Sequence, residues 1–264
     1  MIDLHCHILP GVDDGARTIE DSVAMARMAE AAGTKTIVAT PHMVHPQFHV
    51  PGPLARTKLA EVRAALAAAG VAVEVVLAGE IHWFEDVEGG LASGELLPLS
   101  EPPRRGIFAT REDPLGGGPE ARGETRKYIL FELPATHVPG PFRELCWKLQ
   151  LAGIFPVLAH PERNAGLAED DDALRALRDA GVPVQITAMS LTGAFGRGPR
   201  KVSERWLAAG LVDLVASDGH SCRTRPPVLD EAARAIRKMA GPTAEDWLLR
   251  EVPRRLLAGE PVLG

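Results

Sequence analysis

Val212-Asp213-Leu214-Val215-Ala216-Ser217-Asp218-Gly219-His220 holds the pattern from which the architecture follows: a short, mainly apolar run that stops in side chains able to bind metals. Six other runs share its character: Ile2–Leu4, Lys35–Ala39, Val73–Leu77, Tyr128–Glu132, Phe155–Leu158 and Val184–Ile186. All are rich in Val, Ile and Leu, as strands buried on both faces should be. Amphipathic helical stretches lie between them. Thr18, with Asp21 three residues on, opens the first, and Gly33 closes it. Others cover Pro53–Ala69, Pro141–Ala152, Asp171–Ala180, Arg200–Ala209 and Pro226–Met239, and Gly70, Gly153, Gly181 and Gly210 stand where C-caps belong. This β-α repetition predicts an α/β fold with a parallel sheet. Seven units in one domain suggest a seven-stranded β/α (TIM-like) barrel, with a doubly wound open sheet as the alternative.

Two regions break the rhythm. Residues 98–127 are rich in Gly, Pro, Arg and Glu and form an expected surface insertion. Thr243–Leu257 is expected to form one or two terminal helices on the outside.

Bulk properties narrow the function. The chain has 264 residues, enough for one large core, and its 45% hydrophobic and 24% charged residues are ordinary for a soluble globular protein. A net charge of −6 argues against a nucleic-acid partner. Three cysteines make no disulfide framework. With no signal-type run at the N-terminus and no apolar stretch of membrane-spanning length, the expectation is a cytoplasmic protein without membrane insertion.

Chemistry gathers where the strands end. His5, His7, Asp13 and Asp14 follow the first, His42 the second and Glu80 the third; Glu132 ends the fourth. His160 follows the fifth, and Asp218 and His220 the seventh; only the sixth lacks a strong ligand. In α/β barrels these ends converge on the mouth that holds active sites. Imidazoles with carboxylates suit Zn, Mn or Fe, and a bridging carboxylate such as Glu80 would let two cations sit close together. His5 and His7, two apart in an extended segment, point the same way. Each feature has a plainer explanation: Asp13-Asp14-Gly15 and Asp218-Gly219 could be turns, and Glu80 a surface carboxylate. Glu132 resists one, because it interrupts the apolar run Tyr128-Ile129-Leu130-Phe131 and a buried unpaired carboxylate is costly.

His5-Cys6-His7-Ile8-Leu9-Pro10-Gly11-Val12-Asp13-Asp14-Gly15 resembles the first motif of the polymerase-and-histidinol-phosphatase (PHP) superfamily, and more narrowly its bacterial capsule and exopolysaccharide tyrosine-protein phosphatases. Thr40-Pro41-His42, Gly79-Glu80-Ile81, Phe131-Glu132, Ala159-His160-Pro161-Glu162-Arg163, Ala216-Ser217-Asp218-Gly219-His220 and Thr224-Arg225-Pro226-Pro227 extend the match in order along the chain. The resemblance implies a distorted seven-stranded barrel with two or three divalent ions, usually manganese, with Fe or Zn as alternatives. One ion would take His5, His7, Glu80 and Asp218; a second would share Glu80 and add His42 and His160; a third would take Asp14, Glu132 and His220. The implied substrate is a phosphotyrosyl protein, a bacterial tyrosine kinase of polysaccharide synthesis.

The expected reaction is attack on phosphorus by a hydroxide bridging two cations, with Arg163 and Arg225 as catalytic-site residues gripping the phosphate. For Arg163 the plainer alternative is an ion pair with Glu162 or a nearby Asp. No cysteine has an arginine six positions later, so the Cys-x5-Arg signature of thiolate phosphatases is absent. Cys6 and Cys222 read as packing residues, and His45 and His49 as solvated loop histidines. His82 and His137 read as surface groups or supports of the ligands. Trp83 could line the mouth or pack in the core. The loop Met43-Val44-His45-Pro46-Gln47-Phe48-His49 lacks the basic residues common in the family, and the 98–127 insertion is longer than expected; either could signal another substrate. Two other functions therefore stand beside the first: a PHP phosphatase of a small metabolite such as histidinol phosphate or a nucleotide, and a catalytically silent, metal-stabilised binding module.

Overall fold

The computed structural model describes residues 1–84, 86–100 and 125–263. Most of the expected insertion therefore lies outside the described residues. Strands and helices alternate along the chain: β1 (Ile2–Cys6), α1 (Ile19–Ala31), β2 (Thr36–Ala39), β3 (His42–Val44), α2 (Gly52–Ala68), β4 (Glu74–Leu77), β5 (Glu80–His82), α3 (Val87–Ser93), β6 (Lys127–Glu132), α4 (Phe142–Leu151) and β7 (Ile154–Ala159). A 3-10 turn at Pro161–Arg163 leads to α5 (Ala165–Ala168), α6 (Asp171–Asp179), β8 (Val184–Thr187), α7 (Ala188–Thr192), α8 (Arg197–Ala208), β9 (Leu214–Ala216), α9 (Asp230–Ala240) and α10 (Pro242–Asp246). A π-helical turn at Trp247–Glu251 then runs into α11 (Val252–Ala258).

Local chemistry accounts for the boundaries. Thr18 Oγ1 accepts from Asp21 N, and the Asp21 carboxylate accepts from Thr18 N, completing the predicted capping box of α1. Gly33, Gly70, Gly153, Gly181 and Gly210 all adopt positive φ just past helix ends.

Every strand pair is parallel. Hydrogen bonding divides the strands into a three-stranded sheet, β1-β2-β4, and a six-stranded sheet, β3-β5-β6-β7-β8-β9, where the sequence suggested one seven-stranded ring. The difference has a local cause. The second and third expected strands form as β2 and β4, but each is followed by a short strand the sequence did not suggest, β3 beyond a break at Thr40-Pro41 and β5 beyond a break at Ala78-Gly79. Pro41 has no N–H to donate to a ladder. At Gly79 a Cβ would stand 2.1 Å from Met43 Sδ, so any larger residue would force the buried Met43 side chain to move. Past the breaks, His42 and Glu80 begin β3 and β5 as register partners.

Strand periodicity aims the functional side chains. Alternate residues form two apolar clusters. The larger lies under the helices and includes Ile37, Ile129, Phe131, Leu158, Ile186 and Val215. The second gathers Leu4, Val38, Ala78, Leu130, Val157, Leu214 and Ala216 with Val252 and Leu256 of α11. The terminal segment is thus part of the core, not an outer layer as expected. His42, Glu80, Glu132 and Asp218 each fall an even number of residues beyond Val38, Ala78, Leu130 and Ala216. They continue the side of the strands that faces the second cluster.

The first and last strands meet beside the site. Cys6 bridges to Gly219, Asp218 N donates to His5 O (2.9 Å) and His7 N donates to Gly219 O (2.8 Å). Asp3, fully buried, fastens this seam: Oδ1 accepts from Ser217 N at 2.9 Å and Oδ2 from Ser217 Oγ at 2.5 Å. Ser217 Oγ in turn accepts from Gly219 N at 3.0 Å. Ser217→Ala is expected to destabilise the fold by about 1–3 kcal/mol, because it strips a hydrogen bond from a buried carboxylate. Urea unfolding measures this; a loss below ~0.5 kcal/mol would show that the backbone bonds alone hold the seam.

Candidate metal centre

All nine side chains singled out as metal ligands come together. They fall into four overlapping groups, each with ligand atoms within 4.8 Å of one another: His7, Asp14, His42 and His220; His5, His160 and Asp218; His5, His7 and Glu80; and His42, Glu80 and Glu132. Glu80 is the hub. Its Oε2 lies 3.3 Å from His5 Nε2, 3.3 Å from His7 Nε2 and 3.0 Å from His42 Nδ1, and its Oε1 is 2.8 Å from His160 Nε2. Asp218 Oδ1 stands 3.4 Å from His5 Nε2, and Asp14 Oδ1 stands 3.3 Å from His220 Nε2 and 3.5 Å from His42 Nε2.

The grouping departs from the expected sets at Glu132. Its carboxylate approaches His160 (3.8 Å) and His42 (3.9 Å) and groups with Glu80, not with Asp14 and His220. Strand order explains this: β6 pairs with β5 and β7, whereas Asp14 and His220 belong to the loops that follow β1 and β9.

Backbone geometry serves the cluster. His160 (φ 35°) and Asp218 (φ 52°) are the only non-glycine residues with positive φ among the described residues. Such conformations cost roughly 1–3 kcal/mol each and gather where side chains must be aimed. Gly15 lets the first loop fold back on itself, since a Cβ there would lie 2.1 Å from His7 O.

Three histidines are oriented through Nδ1, which leaves Nε2 facing the centre. His5 Nδ1 donates to Gln185 Oε1 (2.9 Å), His7 Nδ1 to Asp13 Oδ2 (2.9 Å) and His220 Nδ1 to Asp218 O (2.8 Å). Metal-ligating histidines are commonly held in this way. Gln185, on β8, was not foreseen. It interrupts Val184-Gln185-Ile186 as Glu132 interrupts its own apolar run, and that was the available signal.

Burial and crowding set the electrostatics. Burial, with the Glu80 charge beside it, pushes the Glu132 carboxyl up to about 8. Burial works against ionisation of Glu80 too, but His5 and His42 overcome it and hold Glu80 well below the usual carboxylate range. His42 is raised to about 11 and His7 to about 9; in each, burial opposes protonation but nearby carboxylates prevail, led by Glu80 and Asp13 respectively. His160 is pushed down to about 4 by burial and by Arg163. His42 Nδ1, Glu80 Oε2 and Glu132 Oε2 are buried with no aligned hydrogen-bond partner among the described residues.

At the rim, Arg163 Nη2 lies 2.9 Å and Arg225 Nη2 2.5 Å from Asp218 Oδ2. The ion pair with a nearby Asp, the plainer alternative for Arg163, is thus formed through Asp218; Glu162 is not its partner and instead accepts from Thr187 N (3.0 Å) and Ser190 Oγ (2.6 Å). Arg225 Nε is buried without a partner among the described residues. His45 and Phe48 stack on His42, and His45 meets His82 edge-on. Trp83, half-buried, packs edge-on against Phe131 and Phe142 and so lies against the larger cluster. His137 bonds Thr136 at the surface, and Cys6 and Cys146 are buried.

Fold and site together define a parallel α/β protein with a cluster of histidines and carboxylates at its strand ends that could hold metal ions. The family model for capsular polysaccharide synthesis, CpsB/CapC, matches residues 1–103 and 115–258, and the chain belongs to that family. It is 35% identical over 262 residues to the tyrosine-protein phosphatase YwqE of Bacillus subtilis (strain 168), covering 99% of this chain and 93% of that one. The tyrosine-protein phosphatase CpsB of Streptococcus pneumoniae is 29% identical over 97% of this chain and 98% of its own length. Among solved structures, one from the work on YwqE from Bacillus subtilis and CpsB from Streptococcus pneumoniae, described as metal-dependent tyrosine phosphatases, superposes with a TM-score of 0.84, covering 98% of this chain and 95% of that one at 35% identity.

Proposed function

We propose that this chain is a metal-dependent protein-tyrosine phosphatase acting on a bacterial tyrosine kinase of polysaccharide synthesis. The observation that carries the proposal is the convergence of nine ligand-type side chains around Glu80, in a chain similar along nearly its whole length to tyrosine-protein phosphatases. His42 Nδ1, Glu80 Oε2 and Glu132 Oε2 are buried without an aligned hydrogen bond among the described residues, although His42 Nδ1 and Glu80 Oε2 face each other at 3.0 Å; cations held between such atoms would satisfy them. His5, His7, Asp14, His42, Glu80, Glu132, His160, Asp218 and His220 would hold two or three divalent ions. Mn²⁺ is our first choice of ion and Fe or Zn the alternatives. When bound, such ions lower the pKa of water and neutralise charge on phosphoryl oxygens.

The chain's own residues supply the rest. Arg163 and Arg225 bracket the rim and offer guanidinium donors to phosphoryl oxygens, and the unpartnered Arg225 Nε supports that role. Asp218 couples the two parts of the site: Oδ1 faces His5 while Oδ2 holds both arginines. A tyrosine phenolate, with a pKa near 10, leaves comparatively readily, so no acid is assigned. We further infer that the two sheets act as one distorted barrel in a single catalytic domain, supported by the Cys6–Gly219 bridge between β1 and the end of β9. Among the described residues no helix is long and apolar enough to cross a membrane.

The test is a metal-reconstituted assay with phosphotyrosyl peptide, phosphoserine peptide and histidinol phosphate side by side. Phosphotyrosyl peptide should be preferred, and chelator should abolish its turnover. A preference for histidinol phosphate would replace the proposed substrate while keeping the centre.

A further inference from the structure

No motif marks Phe195, yet its ring lies beneath both rim arginines. Arg163 Cζ stands 5.4 Å from the ring centroid and Arg225 Cζ 5.7 Å. The ring is presented by a tight turn after α7. Gly193 (φ +91°) and Gly196 (φ +94°) flank it, Gly196 N donates to Gly193 O (2.9 Å), and Phe195 N donates to Met189 O (3.3 Å). The two guanidinium groups are like charges drawn to one oxygen, Asp218 Oδ2. An aromatic face attracts both and so offsets their repulsion. It also limits the rotamers of two long side chains before any phosphate arrives.

We propose that Phe195 is a positioning residue for phosphate recognition, a shared platform that holds Arg163 and Arg225 at the spacing the phosphoryl group needs. This rests on the phosphatase function proposed above. Without the ring, each arginine depends on Asp218 alone, and binding must order both. The loss therefore falls on any ligand with a phosphoryl group, whether or not it carries an aryl ring, and leaves the metal centre intact.

The experiment compares wild type, F195A, F195L and F195W as metal-loaded enzymes. The readouts are KM and kcat for phosphotyrosyl peptide, the inhibition constant of inorganic phosphate and the metal stoichiometry. F195A and F195L should raise both KM and the phosphate inhibition constant about tenfold, with kcat changed less and metal content unchanged. F195W should restore both constants, since indole is the strongest partner for a cation. F195L keeps the apolar bulk, so it carries the test should F195A fold poorly. If KM for the peptide rises while the phosphate constant stays put, the ring touches the substrate's aryl group and the proposal fails. It fails too if leucine serves as well as tryptophan. Should wild type hydrolyse no phosphomonoester, the phosphatase function falls; calorimetric binding of phosphate to the same loaded proteins then decides the role of Phe195 separately.

Discussion

Glu80→Gln is expected to lower kcat/KM at least about a thousandfold and to release at least one metal ion per chain. The side chain is 1% exposed and touches His5, His7, His42 and His160 through its two oxygens. Glutamine keeps the volume but turns one oxygen into an amide nitrogen, which offers no lone pair to a cation, and it removes the charge that lets two cations approach. Loss of several kcal/mol of electrostatic stabilisation corresponds to about three powers of ten in rate. Elemental analysis of the purified variant and steady-state kinetics with phosphotyrosyl peptide measure both effects, and circular dichroism checks the fold. Near-normal turnover with a full metal complement would show that Glu80 is not the shared ligand, and the arrangement of the centre proposed here would have to be redrawn.

Most of this site could be read from the chain because strand periodicity and ligand chemistry coincide. His42, Glu80, Glu132 and Asp218 sit on the inward phase of strands whose apolar residues announce that phase, so their convergence follows once a parallel β-α architecture is inferred. What escaped depends on information that spacing does not carry. The split into two sheets arises from a missing N–H at Pro41 and a steric contact at Gly79, both local to the breaks. The partners of Glu132 depend on which strands are neighbours, and a list of strand ends does not order them around the mouth. Phe195 and Gln185 bind no metal; they act through arginines and a histidine. Their importance shows only when the distances are known. The placement of α11 against the second cluster shows the same limit, since an amphipathic terminal helix can cover a core from either side.

Gln185→Leu is expected to weaken metal binding by roughly 10- to 100-fold, as removal of a group that orients a ligating histidine typically does. The substitution is unusually clean. Gln185 is fully buried, its Oε1 accepts from His5 Nδ1, and its own Nε2 has no partner among the described residues. Leucine therefore deletes the His5 bond, leaves no other partner stranded, and removes an unsatisfied amide. The cost to the metal-free fold should stay within about 1–3 kcal/mol, the penalty for leaving the His5 N–H unpaired in a buried site. With no acceptor at Nδ1, His5 can shift its proton to Nε2 and lose the lone pair that faces Glu80 and Asp218. Gln185→Glu supplies the counter-test, since a carboxylate accepts from the same nitrogen more strongly and should hold metal far better than leucine does. Competition against a chelator of known affinity reads the dissociation constants of both variants. Equal affinities in the leucine and glutamate proteins would mean that Gln185 only fills space on β8, and that His5 keeps its orientation through the rigidity of β1 instead.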